Sequence, residues 1–236
     1  PGSGKTTVLV TRLGYMIYCK NIRPENILTV TYTVAATRDM KARFIRFFEE
    51  EHADKLTFRT INGLCAVAIR YYAGKKGAQP FALADDEARL NAVGRELLSK
   101  GGGGYPSDQQ VKEARTHITF CKNMMLSDAE VEAQRVDGMD FPAVYKGYQA
   151  FLLKNHLMDF DDQMVFTYRI FRQYPDILAH FQHRWPFLCV DEAQDTSKIQ
   201  HAILRLLASK SRNIFMVGDE DQSIYGFRAA WPQALL

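Results

Sequence analysis

The sequence predicts an α/β fold, a parallel sheet flanked by helices and interrupted by an all-helical insertion. Three observations carry this expectation. Short, β-branched apolar runs alternate with helical patterns in both outer parts of the chain. A central stretch from about Gly74 to His156 contains helical patterns and no strand-like run. A glycine-rich turn leads straight into a helical pattern at the start.

Taken in order, Val8, Leu9, Leu13, Met16 and Ile17 have the spacing of an amphipathic helix, which Asn21 to Pro24 ends. Ile27 to Tyr32 reads as a buried strand, and Ala35 to about His52 returns to helical spacing through Met40, Phe44, Phe47 and Phe48. Lys55 to Arg59 reads as a second strand and Ile61 to Tyr72 as a helix. The central stretch predicts helices over 85–99, 109–125, 128–135 and 142–155, with capping signals at Ser107 with Gln110 and at Ser127 with Glu130. Alternation then resumes, with helices near 159–173 and 176–183 and a strand at Phe187 to Val190. A helix from Ser197 to Ala208 and a strand at Ile214 to Val217 complete the pattern. The division expected is one discontinuous unit of 1–80 and 158–236, with a helical unit of 81–157 set into it.

Composition narrows the classes. With 236 residues, 47% of them hydrophobic and 24% charged, the chain can bury a core and is not of disordered type. Cys19, Cys65, Cys121 and Cys189 form no C-x-x-C pair, which points away from a zinc cluster and towards a reduced, cytoplasmic compartment. No apolar run approaches the ~18 residues of a membrane span, and no membrane partner is expected. The net charge of +3 permits a nucleic-acid partner without demanding one. The chain opens in mid-motif and without Met, which reads as the interior of a larger protein.

Four motifs carry chemistry. In Gly2-Ser3-Gly4-Lys5-Thr6, glycines let backbone N–H groups face phosphate oxygens, and the following helix N-terminus adds a favourable dipole. Lys5 would reach the β- and γ-phosphates of a nucleotide, and the Thr6 hydroxyl would complete a Mg²⁺ shell. Asp191-Glu192 stands at the end of the apolar strand 187–190, where ligands bind in open parallel sheets. Asp191 suits Mg²⁺ held through its water shell, and Glu192 suits the polarising of an attacking water. Gly218-Asp219-Glu220-Asp221-Gln222 follows the last strand and emerges at the same edge, where Gln222 can bond a γ-phosphate and report its loss. Tyr225, Phe227 and Arg228 then add two aromatic faces and a cation, a composition suited to single-stranded nucleic acid or, for the rings, to a core.

The ordered set of motifs resembles the N-terminal part of the UvrD/PcrA/Rep-type superfamily 1 DNA helicases. P-G-S-G-K-T-T at 1–7 is similar to motif I of that family, and T-Y-T-V-A-A-T-R-D-M at 31–40 to motif Ia. T-I-N-G-L-C at 60–65 is similar to motif Ib, and M-D-F-D-D at 158–162 to the L-D-F-D-D segment. V-D-E-A-Q-D-T at 190–196 is similar to motif II, and V-G-D-E-D-Q-S-I-Y-G-F-R-A-A at 217–230 to motif III. The resemblance implies a RecA-like P-loop motor domain carrying a helical accessory domain, with ATP and Mg²⁺ as cofactors. It implies that Gly2, Ser3, Gly4, Lys5, Thr6 and Thr7 cradle the nucleotide, Thr6 and Asp191 serve the metal, and Lys5, Glu192 and Gln222 act in hydrolysis. It implies that Tyr32, Tyr225 and Phe227 stack on bases, and that Thr33, Thr60, Asn62 and Arg228 touch the strand. Departures from the family pattern are Val34-Ala35 in place of Asn-Lys, Asn62 in place of His, and Phe227 in place of a Trp found in some members.

The function expected is ATP-dependent, 3′→5′ translocation on single-stranded DNA and at single-strand/duplex junctions, with duplex unwinding. A second motor domain of the same chain is expected to supply arginine fingers from beyond Leu236. Two alternatives stand beside it. One is the motor part of an AddA/RecB-type helicase–nuclease, the other a module that binds nucleotide and single strand without turnover. Glu192 and Gln222 argue against the second.

Overall fold

A computed structural model describes residues 4–100 and 105–219. Helix α1 (Lys5–Gly14) runs into a π-helical turn, Tyr15–Cys19, before the chain reverses through a 3₁₀ turn at Pro24–Asn26. Strand β1 (Ile27–Thr31) is buried along its whole length, as its β-branched composition requires. Then come α2 (Val34–Phe47), α3 (Glu50–Lys55), β2 (Thr57–Thr60) and α4 (Ile61–Lys76). The central region contributes β3 (Ala82–Leu83), α5 (Glu87–Lys100), α6 (Asp108–Asn123), α7 (Asp128–Glu132) and α8 (Phe141–Lys154). The chain returns through β4 (Leu157–Met158), α9 (Phe160–Gln173), α10 (Pro175–Arg184), β5 (Phe187–Val190), α11 (Lys198–Ala208) and β6 (Ile214–Met216).

The main sheet has the order β2-β1-β5-β6 and every pairing is parallel, in agreement with the α/β reading. One core lies under α4, α9, α10 and α11 and includes Leu28, Val30, Leu188, Phe181 and Trp185. A second lies under α1 and α2 and includes Leu9, Leu13, Ile27, Phe44 and Cys189. A third sits among α5, α6 and α8, around Leu90, Ile118, Phe141 and Tyr148. Cys65, Cys121 and Cys189 are buried as small apolar groups.

Two local expectations are corrected. The single helix expected from Ala35 to His52 is two, because Phe48 leaves helical backbone at φ −138. Its ring lies where a side chain on Gly14 would stand, with a Cβ built there only 2.0 Å from Phe48 Cζ, and it packs on Phe44 and Tyr18. The ring fits only because residue 14 has no side chain. The central region also holds a strand pair where none was expected: β3 runs parallel to β4, closing the two ends of the helical region on each other. Two-residue strands are too short for a sequence period to reveal.

The capping signals are present. Ser107 with Gln110 and Ser127 with Glu130 form reciprocal capping boxes, as does Asp159 with Asp162, while Gln200 accepts from the Ser197 N–H at the start of α11.

The 158–162 segment resolves into a buried polar seam. Asp159 and Asp162, at the start of α9, hold Lys122 of α6 at 2.6 and 2.8 Å. Tyr148 of α8 donates to Asp159, while Thr119 and Asn123 donate to Asp161 at 2.8 Å each. Burial alone would lower the Lys122 ammonium, but the charges of Asp159 and Asp162 outweigh it and hold the group above its ordinary value. Replacing Lys122 by Met should therefore cost about 3–5 kcal/mol, because two desolvated carboxylates lose their counter-charge. Chemical denaturation of the variant beside the parent measures it; a loss below about 1 kcal/mol would show that water replaces the ammonium.

Candidate nucleotide and strand site

The site is built at the carboxyl edge of the sheet. Parallel register sets Val30 beside Val190 and Val190 beside Met216, so three strands end at one level. The ladder continues past the strands, with Asp191 N–H donating to Val30 O and Val217 N–H to Val190 O. Asp191, Glu192 and Asp219 therefore leave the sheet on the same side.

Helix α1 faces this edge with its N-terminus. Gly4 has φ +73, a left-handed backbone that glycine adopts without steric cost, and its carbonyl accepts from Val8 N–H at 2.9 Å. The first turn of α1 has no acidic residue and Gly4 gives no side-chain cap, which leaves the positive end of the helix dipole facing this edge. Lys5 reaches across to Glu192 at 3.3 Å and to Asp219 at 4.0 Å. The Lys5 side chain is only 13% exposed, so these contacts are partly shielded from water. Thr6 and Thr7 follow on the same turn.

Asp191 is buried, and its Oδ1 has no hydrogen-bond partner among the described residues. Burial, and then the negative charge of Glu192, raise its carboxyl above the usual value against the pull of Lys5 and Arg43. Asp195 is raised for the same two reasons. A buried carboxylate oxygen without a donor, beside a second carboxylate, is the donor chemistry of a hydrated divalent cation. Mg²⁺ is bound through few protein oxygens and several waters, so one such oxygen fits it. Among the described residues no group of three or more His, Cys, Asp or Glu is placed to hold a metal directly.

Glu192 has φ +50 and ψ +48, a conformation that costs a non-glycine residue about 1–2 kcal/mol. It is held there from both sides. Ala193 N–H donates to Val217 O at 2.9 Å, Asp195 N–H to Glu192 O at 3.0 Å, and the Thr196 hydroxyl to Ala193 O at 2.7 Å. Gln194 is the residue that sequence reasoning missed. It is 2% exposed and bridges the site, its Nε2 donating to Glu192 Oε2 at 2.6 Å and its Oε1 accepting from Asp219 N–H at 3.0 Å. An amide between carboxylates was visible in the sequence, but its second partner arrives only when the loop after β6 folds back.

The strand-binding residues expected from sequence are partly brought together. Tyr32 is half-buried and lines a small crevice of about 20 Å³ with Thr31, Ile61, Asp191 and Glu192. Thr33 and Thr60 are N-caps, accepting from Ala36 N–H and Gly63 N–H at 3.0 Å each. They thus set two further helix N-termini, those of α2 and α4, along the same edge, with Asn62 in the first turn of α4. Gly2, Ser3, Gln222, Tyr225, Phe227 and Arg228 lie outside the described residues.

Comparison with known proteins agrees with this geometry. The model of the UvrD/REP helicase N-terminal domain matches residues 1–236. The chain is 35% identical to the ATP-dependent DNA helicase PcrA of Staphylococcus epidermidis over 241 residues, covering 100% of this chain and 32% of that protein. It is 34% identical to the ATP-dependent DNA helicase PcrA of Staphylococcus aureus over 240 residues, with the same coverage. The chain thus spans about a third of the length of the curated relatives it matches. A parallel sheet with a lysine-bearing helix N-terminus facing Asp191 and Glu192, and a family match over every residue, place this chain in the UvrD/REP helicase N-terminal domain family.

Proposed function

We propose that the chain is the nucleotide- and strand-binding part of an ATP-dependent DNA helicase that moves 3′→5′ along single-stranded DNA and opens duplex at junctions. The Lys5–Glu192 ion pair, set against the buried Asp191, is the observation that carries this reading. A lysine at a helix N-terminus is placed for phosphates, and a carboxylate one residue past a metal-type aspartate is placed for water. The two now neutralise each other. Triphosphate at the α1 N-terminus would compete for the Lys5 ammonium and release the Glu192 carboxylate to take a proton from the attacking water. Gly2, Ser3, Gly4 and Thr7 would supply backbone or hydroxyl donors to the phosphates. Mg²⁺, when bound beside Thr6 and Asp191, supplies neutralisation of the charge on the β- and γ-phosphate oxygens. Gln222 would sense the γ-phosphate.

Strand grip is assigned to Tyr32, Tyr225 and Phe227 for base stacking and to Thr33, Thr60, Asn62 and Arg228 for the backbone. Unwinding also needs a second motor domain to close on the nucleotide and to alternate the grip. We place the protein in the cytoplasm, where its cysteines stay reduced; no helix among the described residues is long and apolar enough to cross a membrane.

In the intact protein, Lys5→Ala should abolish ATPase activity. Glu192→Gln should lower kcat by about 10²–10⁴-fold, the usual worth of a general base, while Mg·ATP still binds. A Glu192→Gln enzyme turning over at the parental rate would show that another group is the base. Steady-state ATPase with a fluorescent-nucleotide titration reads both variants.

Gln194→Leu removes one donor from the base and one acceptor from the loop after β6. It should lower kcat about 5–30-fold with KM for ATP little changed, the equivalent of 1–2 kcal/mol. A rise in KM with kcat intact would place Gln194 in ground-state binding instead.

Tyr32→Ala should weaken single-strand binding by about 1–3 kcal/mol irrespective of base sequence. A lower melting temperature with unchanged affinity per folded molecule would assign the ring to the core.

A further inference from the structure

Strand β2 lies at one edge of the sheet formed by the described residues, and its penultimate residue, Arg59, points toward the start of α4: the Arg59 Cβ lies 4.0 Å from where a Gly63 side chain would begin. The Nε of Arg59 is buried without a hydrogen-bond partner among the described residues. Two further guanidiniums lie close by. Arg70 is exposed on the outer face of α4, and Arg184 is exposed at the end of α10. The two helices are joined between them by Tyr71 and His180, whose rings stack at 4.1 Å and 11°. Arg184 also lies over Trp185, 4.8 Å from the ring centroid.

The neighbouring charges that act on Arg59 and His180 are positive. Burial, and then the positive charges of Arg184 and Arg70, lower Arg59 from its ordinary value. His180 is lowered by burial and then by Arg184, Lys75 and His183. Arg59, Arg70 and Arg184 hold no carboxylate among the described residues. Like charges kept together, one of them half-desolvated, are offset when an anion enters.

We infer that Arg59, Arg70 and Arg184 form a second phosphate-binding patch, which takes the backbone of the nucleic-acid strand after it leaves Thr60 and Asn62. This deepens the proposed strand grip and rests on it. Continuity favours nucleic acid over an acidic protein. Arg59 directly precedes Thr60, and Asn62 and Arg70 stand on one helix, eight residues or about 12 Å apart along its axis. Arginine forks suit phosphate oxygens, and the half-exposed Tyr71–His180 pair offers a flat surface beside them.

The test is the salt dependence of single-strand binding by the intact protein, with a fluorescent oligothymidylate as probe. Each phosphate that is no longer neutralised should flatten the slope of log K against log salt by about 0.7. The double variant Arg70→Gln/Arg184→Gln should therefore flatten the slope by about 1.4, and Arg70→Lys/Arg184→Lys should recover most of it. Both arginines are exposed, so folding should survive, and DNA-free ATPase activity should match the parent. An unchanged slope in the Gln double variant, with the parent binding normally and Tyr32→Ala weakening it, would leave the grip standing and overturn the patch. A parent that binds no strand at any salt would overturn both. Arginine-dependent binding of an oligoglutamate, with DNA binding unaffected, would overturn it in favour of an acidic protein partner.

Discussion

The structure depends first on the parallel, in-register pairing of β1, β5 and β6. That pairing brings three strand ends to one edge of the sheet, and the backbone bonds from Asp191 to Val30 and from Val217 to Val190 carry it just beyond the strands. Side chains alternate faces along a strand, so a slip of one residue would send Asp191 into the core and a leucine or valine to the edge. Burial on both faces, by α1 and α2 on one side and α4, α9 and α11 on the other, fixes the register against such slips. The chemistry is thus placed by hydrophobic packing some distance from it.

The arrangement so placed is electrostatically tense. Asp191, Glu192 and Asp195 follow one another closely, two of them raised by burial and by Glu192's charge, and Glu192 sits in a left-handed backbone. Lys5 and Gln194 hold the Glu192 carboxylate, one by charge and one by a short hydrogen bond from its side-chain amide. Strain of this kind persists only where surrounding structure over-determines it, and here the backbone bonds of Ala193, Asp195 and Thr196 do so. Under the proposed function, this is a base held in a pair that phosphate would break. Gln194 joins that base to the loop after β6, whose continuation carries the residues proposed to meet the strand.

The helical region is attached by a different kind of bond. Its ends are joined by the β3–β4 ladder, and α6 is fixed to α9 by Lys122 set between Asp159 and Asp162. Apolar side chains of equal volume would hold such a seam at least as tightly, since desolvating three charges is costly. What an ion cluster adds is direction: the ammonium satisfies both carboxylates in one position of α6 against α9 only. The capping box that starts α9 is thus also the clamp on the helical region.

The sequence by itself determined the class of fold, nearly every long element and which residues are proposed to meet the nucleotide. Those features are written in local terms: β-branched runs, 3.6-residue spacing, Ser–x–x–Gln and Ser–x–x–Glu caps, and a glycine-rich turn before a lysine. Tertiary structure decided what depends on residues far apart in the chain. Phe48 breaks its helix because Gly14, on another helix, leaves room for the ring. Asp159 and Asp162 read locally as a helix start and acquire Lys122 only when α6 packs on α9. Gln194 was legible as one letter of a motif, yet its role needs Asp219 returned beside it. Arg59, Arg70 and Arg184 are scattered over more than half of the chain, and no periodicity joins them. Helix and strand propensities act over a few residues, whereas charge, burial and hydrogen-bond satisfaction are settled by whichever neighbours the fold supplies.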